Sequence, residues 1–300
     1  LATLASAFLV LGQPAQAQIA DGLVAYWNFD NENYLDLIGG FHGTPEGTVP
    51  IPFVDGQAGF GKAIKLNGED QEVVITGGQP DDLAFAGGSI TVAGWFKVDA
   101  FDTAWQALIA KGEGTNWRIA RRDPGDFMTA SMGLGEAPQG GPSVNDGQWH
   151  HIAAIADHTD PGGMFIYIDG ALAESTTTLP VLASNGERVR IGENPGAVGR
   201  EWEGEIDEMA IWSRPLTADE VSLLASAPLG SLLGGSDFII VRSATANAVS
   251  FTVQAIDVGA AQVNPATVTT TLDGVSVTPT VSKVGTTTTI TYNILASQNA

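Results

Sequence analysis

Cysteine is absent from the 300 residues. That excludes disulfide staples and any zinc site built on thiolates. Basic side chains are scarce: 13 Lys and Arg stand against 34 Asp and Glu, for a formal net charge of −21. Such a surface argues against nucleic acid and anionic membranes as partners, since both call for basic patches, and it leaves divalent cations acceptable. Histidine is rare as well: there are four, and three of them lie between 150 and 158. No apolar run is long enough to span a bilayer, which excludes membrane insertion through a helix. Long helical patterns are also scarce.

What is present reads as β structure. The 37 glycines and 15 prolines supply many turns, and 44% apolar content suffices for a packed core. This length suits one large β-sandwich plus a smaller unit. Residues 1–18, LATLASAFLVLGQPAQAQ, hold an uncharged apolar run, a break at Pro14 and the small-x-small end Ala15-Gln16-Ala17. The pattern is that of a secretory signal peptide lacking its basic n-region, with a frayed apolar terminus as the other reading.

From Leu23 onward, short apolar segments alternate with turn residues. Expected strands are LVAYWNF (23–29), AIKL (63–66), EVVIT (72–76), SITVAGWFKV (89–98), AWQALIA (104–110) and NWRIAR (116–121). Six more are FMTASMG (127–133), QWHHIAAIA (148–156), MFIYI (164–168), ALAESTT (171–177), RVRIG (188–192) and EIDEMAIW (205–212). Asn67-Gly68 and Asp169-Gly170 supply the positive-φ positions that tight hairpins require. One helix is expected in RPLTADEVSLLAS, where Thr217 and Glu220 form a capping box ahead of Val221, Leu224 and Ala225 on one face.

Residues 228–236 read as a glycine-rich linker. Residues 237–300 are dense in Thr and Val, with Asp237, Arg242, Asp257, Asp273 and Lys283 as their only charges. Nearly all the negative charge therefore precedes them. Strands FIIV (238–241), AVSFTVQAI (248–256), ATVTTTL (266–272), VSVTPTV (275–281) and TTTITYNI (287–294), with a turn at Asp273-Gly274, form a second β unit. It falls short of the seven strands over about 100 residues of an immunoglobulin-like sandwich. It reads either as a truncated domain of that kind or as a minimal natural tail.

Trp149, His150 and His151 raise the question of a metal or catalytic centre. Successive side chains of a strand point to opposite faces, so His150 and His151 cannot converge on one ion. Trp149, His151, Ala153 and Ile155 share one face; His150, Ile152, Ala154 and Ala156 share the other. Both faces are mostly apolar, as in a strand covered on both sides. The histidines read as packing residues.

These strings carry a resemblance. GQWHHIAAIAD, MFIYIDGALAES, RVRIGENP and EWEGEIDEMAIWSRPLTADEV, preceded by GLVAYWNFD, LDLIGGFHGTPEG, GKAIKLNGEDQEVVI and SITVAGWFKV, resemble in order the laminin-G-like branch of the concanavalin A-like jelly rolls. The likeness covers roughly residues 21–227. It implies an all-β fold: a two-sheet antiparallel jelly-roll sandwich over 19–227 with one concave sheet, ahead of the small unit already read as a truncated immunoglobulin-like domain or a minimal tail. It also implies a non-catalytic extracellular recognition module of a larger secreted or bacterial surface protein, binding carbohydrate or another extracellular partner. The other reading is an accessory binding domain of a secreted carbohydrate-active enzyme whose catalytic domain lies elsewhere.

The resemblance implies a structural calcium near the first strand's end and the penultimate strand. Asp30, Asp36 and Asp207 are the matching carboxylates, with ordinary turn and rim acids as the alternative; LDLIGG departs from the commoner D-x-S-G-N form. Glu205 and Asp207 also match the start of the E-x-D-x-E motif of related glucanases. Retaining hydrolysis needs two carboxyl groups about 5–5.5 Å apart. Met209 and Ala210 stand where the acid/base belongs, and Glu208 points away from Glu205. The catalytic set is incomplete, so the expectation is a protein that is not an enzyme.

For a saccharide, the candidates are Trp105, Trp117, Arg118 and Arg121. With Lys111 and Arg122 they form a local cationic, aromatic stretch suited to an anionic sugar. The competing reading puts Trp117 in the core and pairs the arginines with Asp123 and Asp126.

Overall fold

The chain alternates apolar and polar residues along many short strands, so each sheet it forms has one face to bury, and two such faces pack together. The computed structural model describes residues 19–293 except 115, 134–140, 160–161, 234–237, 247–249, 259–261 and 273–274. The expected signal peptide and the turn at Asp273-Gly274 lie outside the described residues. Leu23–Leu229 form one unit, and the residues from Gly230 onward belong to another.

The first unit opens with β1 (Leu23–Trp27), β2 (Gly43–Glu46), β3 (Phe53–Asp55), β4 (Lys62–Asn67), β5 (Glu72–Ile75), β6 (Ile90–Val98) and β7 (Ala107–Ala110). It continues with β8 (Trp117–Arg121), β9 (Met128–Met132), β10 (Trp149–Asp157), β11 (Gly163–Ile168), β12 (Ala171–Thr176), β13 (Arg190–Ile191) and β14 (Glu203–Trp212). Helix α1 (Ala218–Leu224) starts on the expected capping box: Thr217 accepts the Glu220 N–H, and the Glu220 carboxylate accepts the Thr217 N–H at 2.8 Å.

An eight-stranded sheet runs β12-β11-β10-β6-β14-β4-β3, with β1 also paired to β14. A six-stranded sheet runs β2-β5-β13-β7-β8-β9. The fold is an antiparallel jelly-roll sandwich. Ile64, Phe96, Ile152 and Ile206 from the large sheet meet Val73, Ile109, Trp117, Ile119 and Ile191 from the small one in a single core. Strand β14 is shared: Glu203–Ile206 pair with β4, and Met209–Trp212 pair with β1. Between these halves the register against β6 shifts, and Glu208 takes φ 53°. That bulge sets the direction of Asp207 and Glu208.

Asp169-Gly170 turns the β11–β12 hairpin with φ 51° and 79°. Asn67-Gly68 does not turn a hairpin, contrary to expectation, because β4 and β5 belong to different sheets. Instead, Asn67 Oδ1 accepts the N–H groups of Glu69, Asp70 and Gln71 at 3.0–3.3 Å. This side-chain turn carries the chain from one layer to the other. Strands β2 and β3 were not expected, since GTPE and FVD show no apolar alternation.

In the second unit, β15 (Phe238–Ala246), β16 (Ser250–Val258), β17 (Thr270–Leu272), β18 (Val275–Val277), β19 (Thr280–Val284) and β20 (Thr287–Asn293) form a four-stranded sheet, β15-β16-β20-β19, and a β17–β18 pair. The single strand expected over 275–281 is divided between β18 and β19.

Candidate functional site

In the small sheet, Val73, Ile109, Ile119 and Ile191 face the core, so their neighbours face outward. Register aligns Val74, Arg190, Ala110, Arg118 and Ser131 in one outward row across five strands. Arg190 pairs with Glu72 at 2.7 Å. At the β8 end of the row stands Trp105, half-buried, with φ 63°. Left-handed backbone is costly for a bulky residue and is tolerated where surrounding structure or function demands it. The Arg118 guanidinium lies 5.3 Å from the indole centroid and that of Arg122 lies 4.8 Å away, within cation–π range.

Glu113 completes the cluster. Its Oε1 accepts from Arg118 Nη1, from Arg200 Nη1 and, at 3.1 Å, from Asn194 Nδ2. The loop bearing Asn194 and Arg200 is set by buried Glu193, which accepts the N–H of Asn194 at 2.6 Å and of Gly199 at 2.9 Å. Two arginines and an amide thus meet one carboxylate, and one of those arginines, Arg118, shares the Trp105 indole with Arg122.

Two expected ligand contacts are corrected. Trp117 is buried in the core, with its Nε1–H donated to Leu83 O at 2.8 Å, so it has no face to offer a ligand. Arg121 is buried on the core-facing side of β8. It donates to Thr103 O at 2.8 Å and Gly125 O at 3.1 Å and lies 5.1 Å from the Phe101 ring, so it anchors the loop that carries Trp105. Trp105 and Arg118 do come together. Arg118 pairs with Glu113, a carboxylate outside the expected Asp123 and Asp126. Glu113 and Arg200 escaped the sequence reading because they arrive from separate loops.

The second cluster lies at the end of β1. Asp36 is corrected as a cation ligand: its Oδ1 accepts the N–H of Tyr26 and Ile38, and its Oδ2 those of Gly39 and Phe41, at 2.8–2.9 Å. Four backbone donors occupy the carboxylate, which organises the LDLIGG turn. Asp30 and Asp207 both abut the loop 56–61. Asp30 accepts the Lys62 N–H at 2.9 Å, and a Cβ on Gly61 would overlap its carboxylate. A Cβ on Gly56 would lie 2.6 Å from Asp207 Oδ2. Asp207 is fully buried; Oδ1 accepts the Glu208 N–H at 2.7 Å, while Oδ2 is buried without a hydrogen-bond partner. Burial, followed by the neighbouring Glu208 charge, pushes the Asp207 carboxyl up to about 9. Glu208 accepts from Tyr26 Oη and Leu229 N, each at 2.6 Å, and burial raises it to about 7. Among the described residues, no group of three or more His, Asp or Glu is gathered as a metal site.

Glu205 is held by Lys97 at 3.3 Å and Lys65 at 3.5 Å on the outer face of the large sheet. Met209 and Ala210 are buried. His150 packs against Phe96 and bridges Asp146 and Asp169; His151 is buried against Trp95, whose indole donates to Leu224 O at the end of α1.

The family described as the concanavalin A-like lectin/glucanases superfamily, in its laminin G form, matches residues 67–222, more than half of the chain. The chain belongs to this superfamily. Among its structural neighbours is domain 4 of AbnA, a GH43 extracellular arabinanase from Geobacillus stearothermophilus, in complex with arabinotriose. That likeness has a TM-score of 0.53 and 25% identity, and covers 68% of this chain and 98% of that one. The binding domain of botulinum neurotoxin DC, in complex with SialylT, aligns with a TM-score of 0.52 over 88% of this chain and 75% of that one. At 12% identity it shares the fold alone.

A Mus musculus sushi, von Willebrand factor type A, EGF and pentraxin domain-containing protein 1 is 34% identical over 115 residues. The match takes in 33% of this chain and 3% of that protein, so this superfamily member spans a small fraction of its curated relative. Among the described residues, no helix is long and apolar enough to cross a membrane.

Proposed function

We propose that the first unit is a non-catalytic carbohydrate-recognition module acting outside the cell, with its ligand seated on the outer face of the small sheet at Trp105. One observation carries this reading: five of the seven tryptophans are buried, whereas Trp105 remains partly exposed in left-handed backbone, with two guanidinium groups on its ring. An indole face beside planar donors is the chemistry that holds a sugar ring. The non-catalytic part is supported by Glu205, which is engaged by two lysines, and by Asp207, which is sealed from solvent. A glycan array read with the wild type and Trp105→Ala tests the proposal. Saccharide binding that the substitution abolishes is expected; a wild type that binds no saccharide sinks it, and reducing-sugar release from β-glucans sinks the non-catalytic part.

The likeness to domain 4 of an extracellular arabinanase, over nearly all of that domain, favours one narrower reading: an accessory domain of a secreted carbohydrate-active enzyme. The reading gains support if the coding sequence adjoining this segment encodes a glycoside hydrolase; an adjoining adhesin would overturn it.

We also infer that Asp30 and Asp207 hold a structural calcium. Calcium takes six to eight oxygens, carboxylate and carbonyl alike, and the partnerless Asp207 Oδ2 fits a charged ligand. A bound cation would supply the positive charge that this pair lacks. A rise in melting temperature with added calcium, reversed by EDTA and missing in Asp207→Asn, is the expected outcome; identical melts with and without calcium would refute it.

A further inference from the structure

We propose that Glu113 is a built-in competitor: it occupies a carboxylate-binding subsite formed by Arg118 and Arg200 beside Trp105, and an acidic saccharide of the uronic-acid class displaces it. This deepens the recognition reading above and rests on it. The argument begins with charge. In a chain carrying −21 overall, Arg118 and Arg200 converge on a single carboxylate, and Arg122 joins Arg118 at the neighbouring indole. Two guanidinium groups and the Asn194 amide converge on the same oxygen, Glu113 Oε1. That is the donor arrangement a sugar carboxylate needs, and charge-assisted arginine bonds are about twice as strong as neutral ones.

Burial is distributed in the same sense. The Arg118 side chain is 4% exposed and Arg200 24%, whereas Glu113 is 38% exposed. The cations are the built part of the site, and the anion is its outer member. Arg118 projects from β8, paired on both sides in the small sheet, and Arg200 sits on a loop tied down by Glu193. Glu113 is held more lightly, its main-chain carbonyl accepting the Asn116 N–H at 3.3 Å. It lies between Gly112 at φ 137° and Gly114 at φ 69°, and glycine's access to both halves of the φ range lets this short turn change conformation at little steric cost. Swinging Glu113 away opens the Nη1 donors of Arg118 and Arg200 that it occupies, next to an indole face. The sugar ring then stacks on Trp105 while its carboxylate takes the place of Oε1. A neutral sugar gains nothing from that exchange, so Glu113 also selects for acidic ligands.

The test is calorimetry on the full chain with hexagalacturonate and its fully methyl-esterified counterpart, which has the same rings without the charges. Glu113→Gln is expected to bind the acid about tenfold more tightly than the wild type, with the ester unchanged. Arg200→Gln is expected to lose the acid in either background. An unchanged or weakened affinity for the acid in Glu113→Gln overturns the proposal, as does a failure of every variant to bind the acid. If Trp105→Ala abolishes binding of neutral glycans while Glu113→Gln changes nothing, the recognition reading stands and only the competitor role falls. Matching near-ultraviolet circular dichroism of wild type and variants keeps misfolding apart from lost contacts.

Discussion

His150 Nδ1 lies 2.9 Å from Asp169 Oδ2, and the opposite ring nitrogen lies 3.1 Å from Asp146 Oδ1. The hydrogen bond to Asp169, followed by that to Asp146, outweighs burial and raises His150 above its usual 6.5. A raised histidine stabilises the fold most when protonated. Its contribution is therefore complete below about pH 6.5 and fades as pH rises through the higher folded value. Thermal melts between pH 6 and 9 should show a decline in the wild type that His150→Gln lacks; parallel profiles would refute the clamp. At low pH that substitution should cost about 1 kcal/mol.

His151 behaves in the opposite way. Burial lowers it from 6.5 to about 4, and its Nδ1 has no partner. The unfolded chain takes up this proton first, so stability falls as pH drops from about 6.5 to about 4. The loss should be of order 3 kcal/mol. Urea titrations at pH 6.5 and 4.5 should show a smaller difference in His151→Phe than in the wild type, and equal differences would count against a buried neutral imidazole.

Lys111 is a fully buried ammonium that donates to Pro80 O, Asp81 Oδ1, Asn185 Oδ1 and Glu187 O at 2.6–3.2 Å. Lys111→Met leaves these oxygens facing an apolar side chain and should cost about 3 kcal/mol. Chemical denaturation measures it. A cost below about 1 kcal/mol would mean that the oxygens find water instead.

Gly61 and Gly59 both have positive φ, 91° and 89°. Only at Gly61 would a Cβ meet the Asp30 carboxylate; at Gly59 nothing lies within 4 Å. Gly59→Ala should cost about 1 kcal/mol of backbone strain, and Gly61→Ala at least about 2 kcal/mol because Asp30 must also move. Equal destabilisation of the two would show that Asp30 is not packed against this loop.

Most strands of the first unit were legible because an apolar side is repeated every second residue, and the capping box of α1 was legible because its partners lie three residues apart. The site was legible only in part. Trp105 and Arg118 stood out as an aromatic and a cation in one stretch. Trp117 and Arg121 looked equivalent to them, yet both face inward. In Arg121's case the inward orientation is tolerable because backbone carbonyls of Thr103 and Gly125 accept its donors. Asp36 read as a cation ligand, but the number of N–H groups turning toward a carboxylate depends on the path of the loop.

Sequence alone determined the β class, most strands of the first unit and the placing of His150 and His151 on opposite faces of one strand, since these follow from alternation and composition. Tertiary structure alone decided which residues meet. Arg118, Asn194 and Arg200 meet on Glu113 because β7, β8 and β13 are neighbours in one sheet, and Asp207 comes against the same loop, 56–61, as Asp30 where a bulge turns β14 as its partner changes from β4 to β1. Pairing between distant strands is set by the packing of whole layers, which no local stretch of residues encodes.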